Sequence, residues 1–319
     1  MNFWEKLPKP FTVLAPMEDV TDSIFREVVN TSARPDVFFT EFVNVEGLFS
    51  RGRDVLIKKL EFNKSQLPLV AQIWGLKPDN FKKAAELIKK LGFSGVDINM
   101  GCPDRDVIKT GAGGALIDNN NLAKEIIIAT KEGAGDVPVS VKTRIGFDKI
   151  VTNEWVTFLL KQNIAALSVH LRTVREVSKV PAHWDEINTI LTVRKEISPS
   201  TTIIGNGDVF SYAQAVEKYN QYKVEGIMIG RGIFFNPWVF SKKDKPRTNE
   251  ERLNLLKMHL DLYEKTSENR SNYSRLKKYF KMYVRDFDEA SELRAKLMCT
   301  EDVSAAQRVV LKYLNESFN

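Results

Sequence analysis

The strongest constraint on this chain is a repeated alternation. Eight short apolar runs, at residues 13–17, 37–43, 69–75, 95–101, 138–146, 166–173, 201–209 and 226–232, are mostly separated by stretches of helical periodicity. Apolar runs of this length read as strands buried on both faces, as when helices cover a parallel sheet. Helical spacing recurs at residues 81–90, 121–132, 155–161, 184–196 and 213–219. The first of these follows Pro78-Asp79-Asn80, where Asp79 or Asn80 is expected to cap the free amides. Eight such units within residues 1–241 predict a (β/α)8 TIM barrel, with an open doubly wound sheet as the alternative.

Beyond the eighth unit the pattern changes. Apolar content falls and charge clusters over residues 242–248, which read as a linker. Residues 249–319 contain no strand-like run, only amphipathic segments at 252–263, 274–285, 289–298 and 304–314, and predict a small C-terminal helical bundle. A hydrophobic fraction of 43% against 28% charged residues suits a folded core rather than disorder. No run approaches the roughly 20 apolar residues of a membrane span, and the first ten residues lack a signal-peptide core, so a cytoplasmic location is expected; a monomer is expected as well.

In such a barrel the chemistry sits where strands end at their C-terminal side. Strand one delivers Pro16, Met17 and Glu18 there, strand two Glu41 and Asn44, strand three Gln72, and strand four Asn99 and Cys102. Strand five delivers Lys142 and Arg144, strand six His170 and Arg172, strand seven Asn206, Gly207 and Asp208, and strand eight Gly230 and Arg231. Singly, each is more often structural than functional; their convergence on one rim points to a site. Glycine-rich turns after strands seven and eight, with Arg231 and a short helix starting near Phe235, form an expected phosphate site. A phosphate there, with Lys142, Gln72 and His170 at the mouth, suits flavin mononucleotide. Lys142 would face the negative edge of the reduced ring and Gln72 its pyrimidine edge.

Several segments together resemble the tRNA-dihydrouridine synthase family. They are Ala15-Pro16-Met17-Glu18-Asp19, Gln72-Ile73-Trp74-Gly75, Asp97-Ile98-Asn99-Met100-Gly101-Cys102-Pro103 and Gly111-Ala112-Gly113-Gly114-Ala115-Leu116. Further along stand Val141-Lys142-Thr143-Arg144, His170-Leu171-Arg172, Gly205-Asn206-Gly207-Asp208 and Gly230-Arg231-Gly232. The resemblance implies bound FMN, NADPH as reductant, and reduction of the uracil 5,6 double bond in tRNA. It implies FMN contacts at Pro16, Met17, Glu18, Gln72, Lys142, His170, Asn206, Gly207, Asp208, Gly230 and Arg231, with Cys102 as proton donor and Asn99 and Arg144 toward the substrate. Two positions depart from the family pattern: Asp106, where many members carry lysine, and Leu171, where many carry glycine.

A net charge of +6 favours a polyanionic partner. Arg275, Lys277, Lys278, Lys281 and Arg285 stand without an intervening acid and alternate with Tyr279, Phe280 and Tyr283, a composition suited to RNA. On a helix these cations share adjoining faces and would follow one phosphate strand. Cys299 reads as core packing, and His183 and His259 have no companions at metal-ligand spacing, so no metal is expected. The alternatives are an FMN barrel that reduces free pyrimidines, or an RNA-binding or tRNA-folding module without catalysis.

Overall fold

The computed structural model describes residues 2–243, 245–265 and 267–318. Eight parallel strands form its centre: β1 (Phe11–Leu14), β2 (Phe38–Asn44), β3 (Leu69–Trp74), β4 (Gly95–Met100), β5 (Val139–Arg144), β6 (Ala166–His170), β7 (Thr202–Asn206) and β8 (Gly226–Ile229). Each pairs with its sequence neighbours from β2 through β8, and β8 pairs with β1. A parallel bridge between Val13 and Val37 completes the circuit, with Leu14 and Val37 amides bonded across it at 3.0 and 3.1 Å. The sheet is a closed TIM barrel, as the alternation implies, and the open-sheet alternative falls.

The barrel is filled from its N-terminal end. Trp4, on the turn Phe3–Lys6, is 1% exposed and packs with Phe11, Val13, Val37, Phe39, Val70 and Ile204. Burying these rings and branched chains closes that end, and each large apolar side chain contributes about 1.5–3 kcal/mol. Polar chemistry is left to the other mouth. Outside the strands, helix Pro78–Leu91 crosses helix Asn120–Ala134 so closely that a Cβ on Gly133 would lie 2.0 Å from the Lys82 carbonyl oxygen.

Neither Asp79 nor Asn80 caps the first of these helices. It begins at Pro78, after Lys77, without a side-chain cap. Proline has no amide to satisfy and a helix-ready φ, so it starts the helix one turn early, while the Leu76 and Lys77 amides donate to Glu46 at 2.9 and 2.8 Å.

The chain divides into two compact units, the first made of residues 1–23, 35–209 and 213–230, the second of residues 24–34, 210–212 and 231–319. The second unit thus begins at the end of β8 and takes in helix Ser23–Ala33 from residue 24. The expected linker, 242–248, belongs to it; Asp244 lies outside the described residues. Arg247 stacks 5.0 Å over Trp238, and Thr248 opens helix Asn249–Glu264 with a reciprocal capping box to Glu251. Helices Ala290–Met298 and Val303–Phe318 follow. Cys299, expected in the core, is exposed, because the helix ends at Met298 and the cysteine caps it.

Candidate active site

At the C-terminal mouth, consecutive strands set consecutive polar groups side by side. Register pairs Asn99 with Lys142, Arg144 with His170, and His170 with Asn206. Cys102, Lys142, His170 and Asn206 are half-buried there, as are Pro16, Met17 and Gly230. Residues from six of the eight strand ends therefore meet around one opening.

Cys102 sits just past β4, and the backbone around it is held on every side. Asn99 Oδ1 accepts from the Gly101 and Cys102 amides at 3.1 and 2.9 Å. Arg144 Nε donates to the Gly101 carbonyl at 2.8 Å, and the Gly114 amide donates to the Cys102 carbonyl at 3.0 Å. Glycine is needed twice here. A Cβ on Gly101 would come within 3.0 Å of the Thr143 backbone, and one on Gly114 within 2.6 Å of Val174 and 3.0 Å of the Cys102 carbonyl oxygen. Burial pushes the Cys102 thiol above its ordinary pKa despite the pull of Arg144 and Lys142, so it stays protonated at neutral pH.

Burial has the opposite effect on Lys142, lowering its ammonium to about 8, with Arg144 adding to the shift. Asp97 favours the charged form, but its two oxygens are taken by Ser140 Oγ at 2.6 Å and Gln72 Nε2 at 2.7 Å. Asp97 is fully buried, and desolvation raises it to about 6 against those two hydrogen bonds. Lys142 therefore brings to the rim a desolvated cation whose countercharge is already hydrogen-bonded elsewhere.

Gln72 does not have the open position expected of it. The side chain is wholly buried, its Nε2 donating to Asp97 and its Oε1 accepting from Asn99 Nδ2 at 2.9 Å. The amide is turned to the neighbouring strands and has no exposed surface to offer a ring edge. Glu18 is exposed and paired with Lys59, which also lies 3.6 Å from Glu41. Arg144, expected near substrate, is 5% exposed; besides Gly101 it donates to the Thr173 and Val177 carbonyls, each at 3.0 Å. Val177 takes φ of +51°, an uncommon conformation for a β-branched residue, and its carbonyl is one of those two acceptors.

His170 is ordered by a residue that sequence reasoning placed at the rim without a role. Arg172, 2% exposed, puts NH1 3.0 Å from His170 Nε2, donates from Nε to the Val180 carbonyl and pairs through NH2 with Asp208. Guanidinium only donates, so Nε2 of His170 must accept and the imidazole proton stands on Nδ1. Asp208, at φ +51°, also accepts from the Ala182 amide at 2.9 Å. Asn206 donates to the Met228 carbonyl at 2.8 Å. Neither Asp97 nor Ser140 was singled out in advance; the signal available was Asp97 standing two residues before Asn99, on the same side of β4.

In the second unit Arg231 is exposed and precedes helix Gly232–Phe235. That helix ends, rather than begins, at Phe235, because Pro237 forces Asn236 to an extended φ, ψ of −144°, 105°. The basic segment also differs from expectation. Residues Ser267–Tyr279 form 3₁₀ turns, Phe280–Tyr283 one α-turn, and Arg285 lies past its end. Tyr279, Phe280 and Tyr283 are at most 3% exposed: they are the core of this unit, with Tyr279 stacked on Phe25 at 4.9 Å and Tyr283 bonded to His259 Nδ1 at 2.8 Å. Fixing these rings inside turns the intervening cations outward. Arg275, Lys278 and Lys281 are exposed, whereas Lys277 is half-buried and donates to the Met298 carbonyl at 2.8 Å, and Arg285 is bonded to Asp286.

A family model described as dihydrouridine synthase matches residues 13–318. A probable tRNA-dihydrouridine synthase of Staphylococcus aureus strain COL is 46% identical over 312 residues, covering 97% of this chain and 94% of its own. Probable tRNA-dihydrouridine synthase 2 of Bacillus subtilis strain 168 is 47% identical, with 97% and 95% covered. Among solved structures, histamine dehydrogenase from Rhizobium sp. 4-9 aligns with a TM-score of 0.55 at 14% identity, over 79% of this chain and 48% of its own. Morphinone reductase aligns with a TM-score of 0.52 at 11% identity, over 74% and 86%. At such identities the likeness speaks to the barrel alone.

Proposed function

The chain belongs to the dihydrouridine synthase family, and from that premise we propose that it reduces the 5,6 double bond of uridine in tRNA, with FMN bound at the barrel mouth and NADPH as reductant. The observation that carries this reading is a protonated, backbone-anchored Cys102 just past β4, the strand that pairs with that of Lys142. FMN suits the donor set: the Lys142 cation would match the electron-rich N1 and C2 oxygen edge of the ring, and His170, whose Nε2 is held by Arg172, stands on the neighbouring strand. Pro16, Met17, Asn206, Gly207, Asp208, Gly230 and Arg231 are the remaining proposed contacts. Gln72 contributes by holding Asn99 rather than by touching the ring.

FMN held by these residues would supply a hydride to uracil C6. Cys102 then delivers its proton to C5, which carries the electron pair released from the double bond. A thiol raised by burial is suited to this step, since it is present in the acid form at neutral pH. Asn99 keeps one amide hydrogen beyond its bond to Gln72, and we assign it to the base. Arg144 acts through the Gly101 carbonyl, holding the cysteine turn.

The target base must leave its stack to reach the mouth. Arg275, Lys278 and Lys281 bind the phosphates electrostatically, and the exposed charge rather than aromatic stacking carries that contact. The test is the visible spectrum of the purified protein, its bleaching by NADPH, and its recovery on addition of unmodified tRNA with dihydrouridine formed in step. Protein that binds no flavin after reconstitution refutes the proposal.

A further inference from the structure

One buried group of the barrel has no part in the reaction as described: the carboxylate of Asp97. We infer that Asp97 is a positioning residue, which fixes the Gly101-Cys102 backbone through the amides of Gln72 and Asn99 in series. The four links are Ser140 Oγ to Asp97 at 2.6 Å, Gln72 Nε2 to Asp97 at 2.7 Å, Asn99 Nδ2 to Gln72 at 2.9 Å, and the Cys102 amide to Asn99 at 2.9 Å. Asp97, Gln72 and Ser140 are at most 1% exposed and Asn99 is 7% exposed, so water does not compete for these bonds.

The direction of every bond follows from the two ends. An ionised carboxylate only accepts, so Gln72 must turn its NH2 toward Asp97 and its oxygen toward Asn99. Asn99 must then give its NH2 to Gln72, which leaves its oxygen for the backbone amides of Gly101 and Cys102. The other end demands the same orientation, because backbone N–H groups only donate. A group at position 97 that could donate would allow Gln72 to flip. Asn99 would then have to flip as well, setting its NH2 against two N–H groups, and the cysteine turn would lose its anchor.

Asp97→Asn is isosteric, so it alters the direction of the relay and not its packing. The inference rests on Cys102 as proton donor, and two readouts separate the two ideas. In the holoenzyme Asp97→Asn, single-turnover reoxidation of the NADPH-reduced flavin by unmodified tRNA should slow by about 100-fold, the usual cost of an ångström of misplacement. Alkylation of Cys102 by iodoacetamide, resolved by mass spectrometry with the exposed Cys299 as internal standard, should accelerate about tenfold or more. The double variant Asp97→Asn with Gln72→Glu restores an acceptor between two amides that donate, and should return both readouts toward wild type. Wild-type alkylation in Asp97→Asn overturns the inference, as does a double variant that keeps flavin yet behaves like the single one. If Asp97→Asn does not retain flavin, Gln72→Met breaks the same relay; unchanged Cys102 alkylation there overturns it equally. A fully active Cys102→Ala enzyme would instead defeat the proton-donor reading and leave the alkylation results standing.

Discussion

Replacing Lys142 by methionine should make the flavin-free protein more stable while weakening its hold on flavin. The ammonium titrates near 8 in the folded chain against 10.5 for an ordinary lysine, mainly because it is desolvated. Keeping it charged therefore costs folding about 3 kcal/mol at pH 7, at 1.36 kcal/mol per pKa unit. Because the folded-state value is the lower one, the penalty is complete below pH 8 and fades as pH rises toward 10.5, reaching about 2 kcal/mol at pH 9. Methionine preserves much of the stem and removes the charge. Urea unfolding of flavin-stripped wild type and Lys142→Met at pH 7 and pH 9 should show the stability gap between them narrow by about 1 kcal/mol across that interval. Packing differences are constant with pH and cancel in the comparison. In the same variant FMN affinity should fall by about 10- to 100-fold, as for loss of one charge-assisted hydrogen bond. A gap that does not change between the two pH values would refute the account of a desolvated ammonium, and an unchanged FMN affinity would refute its role in binding.

Cys102→Ala should keep FMN and its reduction by NADPH but lower single-turnover reduction of tRNA by about 10²- to 10⁴-fold, the span of general acid catalysis; stopped-flow absorbance of the flavin separates the two halves. Lys278→Glu should weaken tRNA binding and lessen the slope of log affinity against log salt by roughly one, measured by filter binding between low and physiological salt. His259, held neutral by burial with its pKa lowered to about 3 against 6.5 unfolded, supports stability fully above pH 6.5 and loses that support as pH falls toward 3. His259→Gln should accordingly flatten the acid limb by about 2–3 kcal/mol between pH 6.5 and 4.5, read from urea unfolding at each pH. Parallel acid limbs in the two proteins would contradict it.

The sequence by itself determined the barrel and the identity of its mouth. Eight apolar runs with helices between them leave few ways to bury both faces of a sheet, and polar residues at the ends of those runs can gather only on one rim. The place of Cys102 and Lys142 was legible for that reason, and the helical segments at 121–132 and 252–263 lie within the observed helices. Partnership across strands was not legible. Gln72 carries the same amide whether it faces a ligand or Asp97, and the choice depends on the register of β3 against β4, which brings residues 25 apart in sequence to 2.7 Å. Arg144 and Arg172 likewise read as cations of the rim, Arg144 toward the substrate, until their carbonyl acceptors at Gly101, Thr173, Val177 and Val180 come into range. The tail shows the same limit. Alternating tyrosines and lysines describe an RNA-stacking surface or a core with charges outside equally well, and only packing against Phe25 and His259 decided that the rings are the core. Local pattern sets which face a residue takes; tertiary contact sets which partner satisfies its polar atoms, because those hydrogen bonds join segments whose separation along the chain carries no periodic signal.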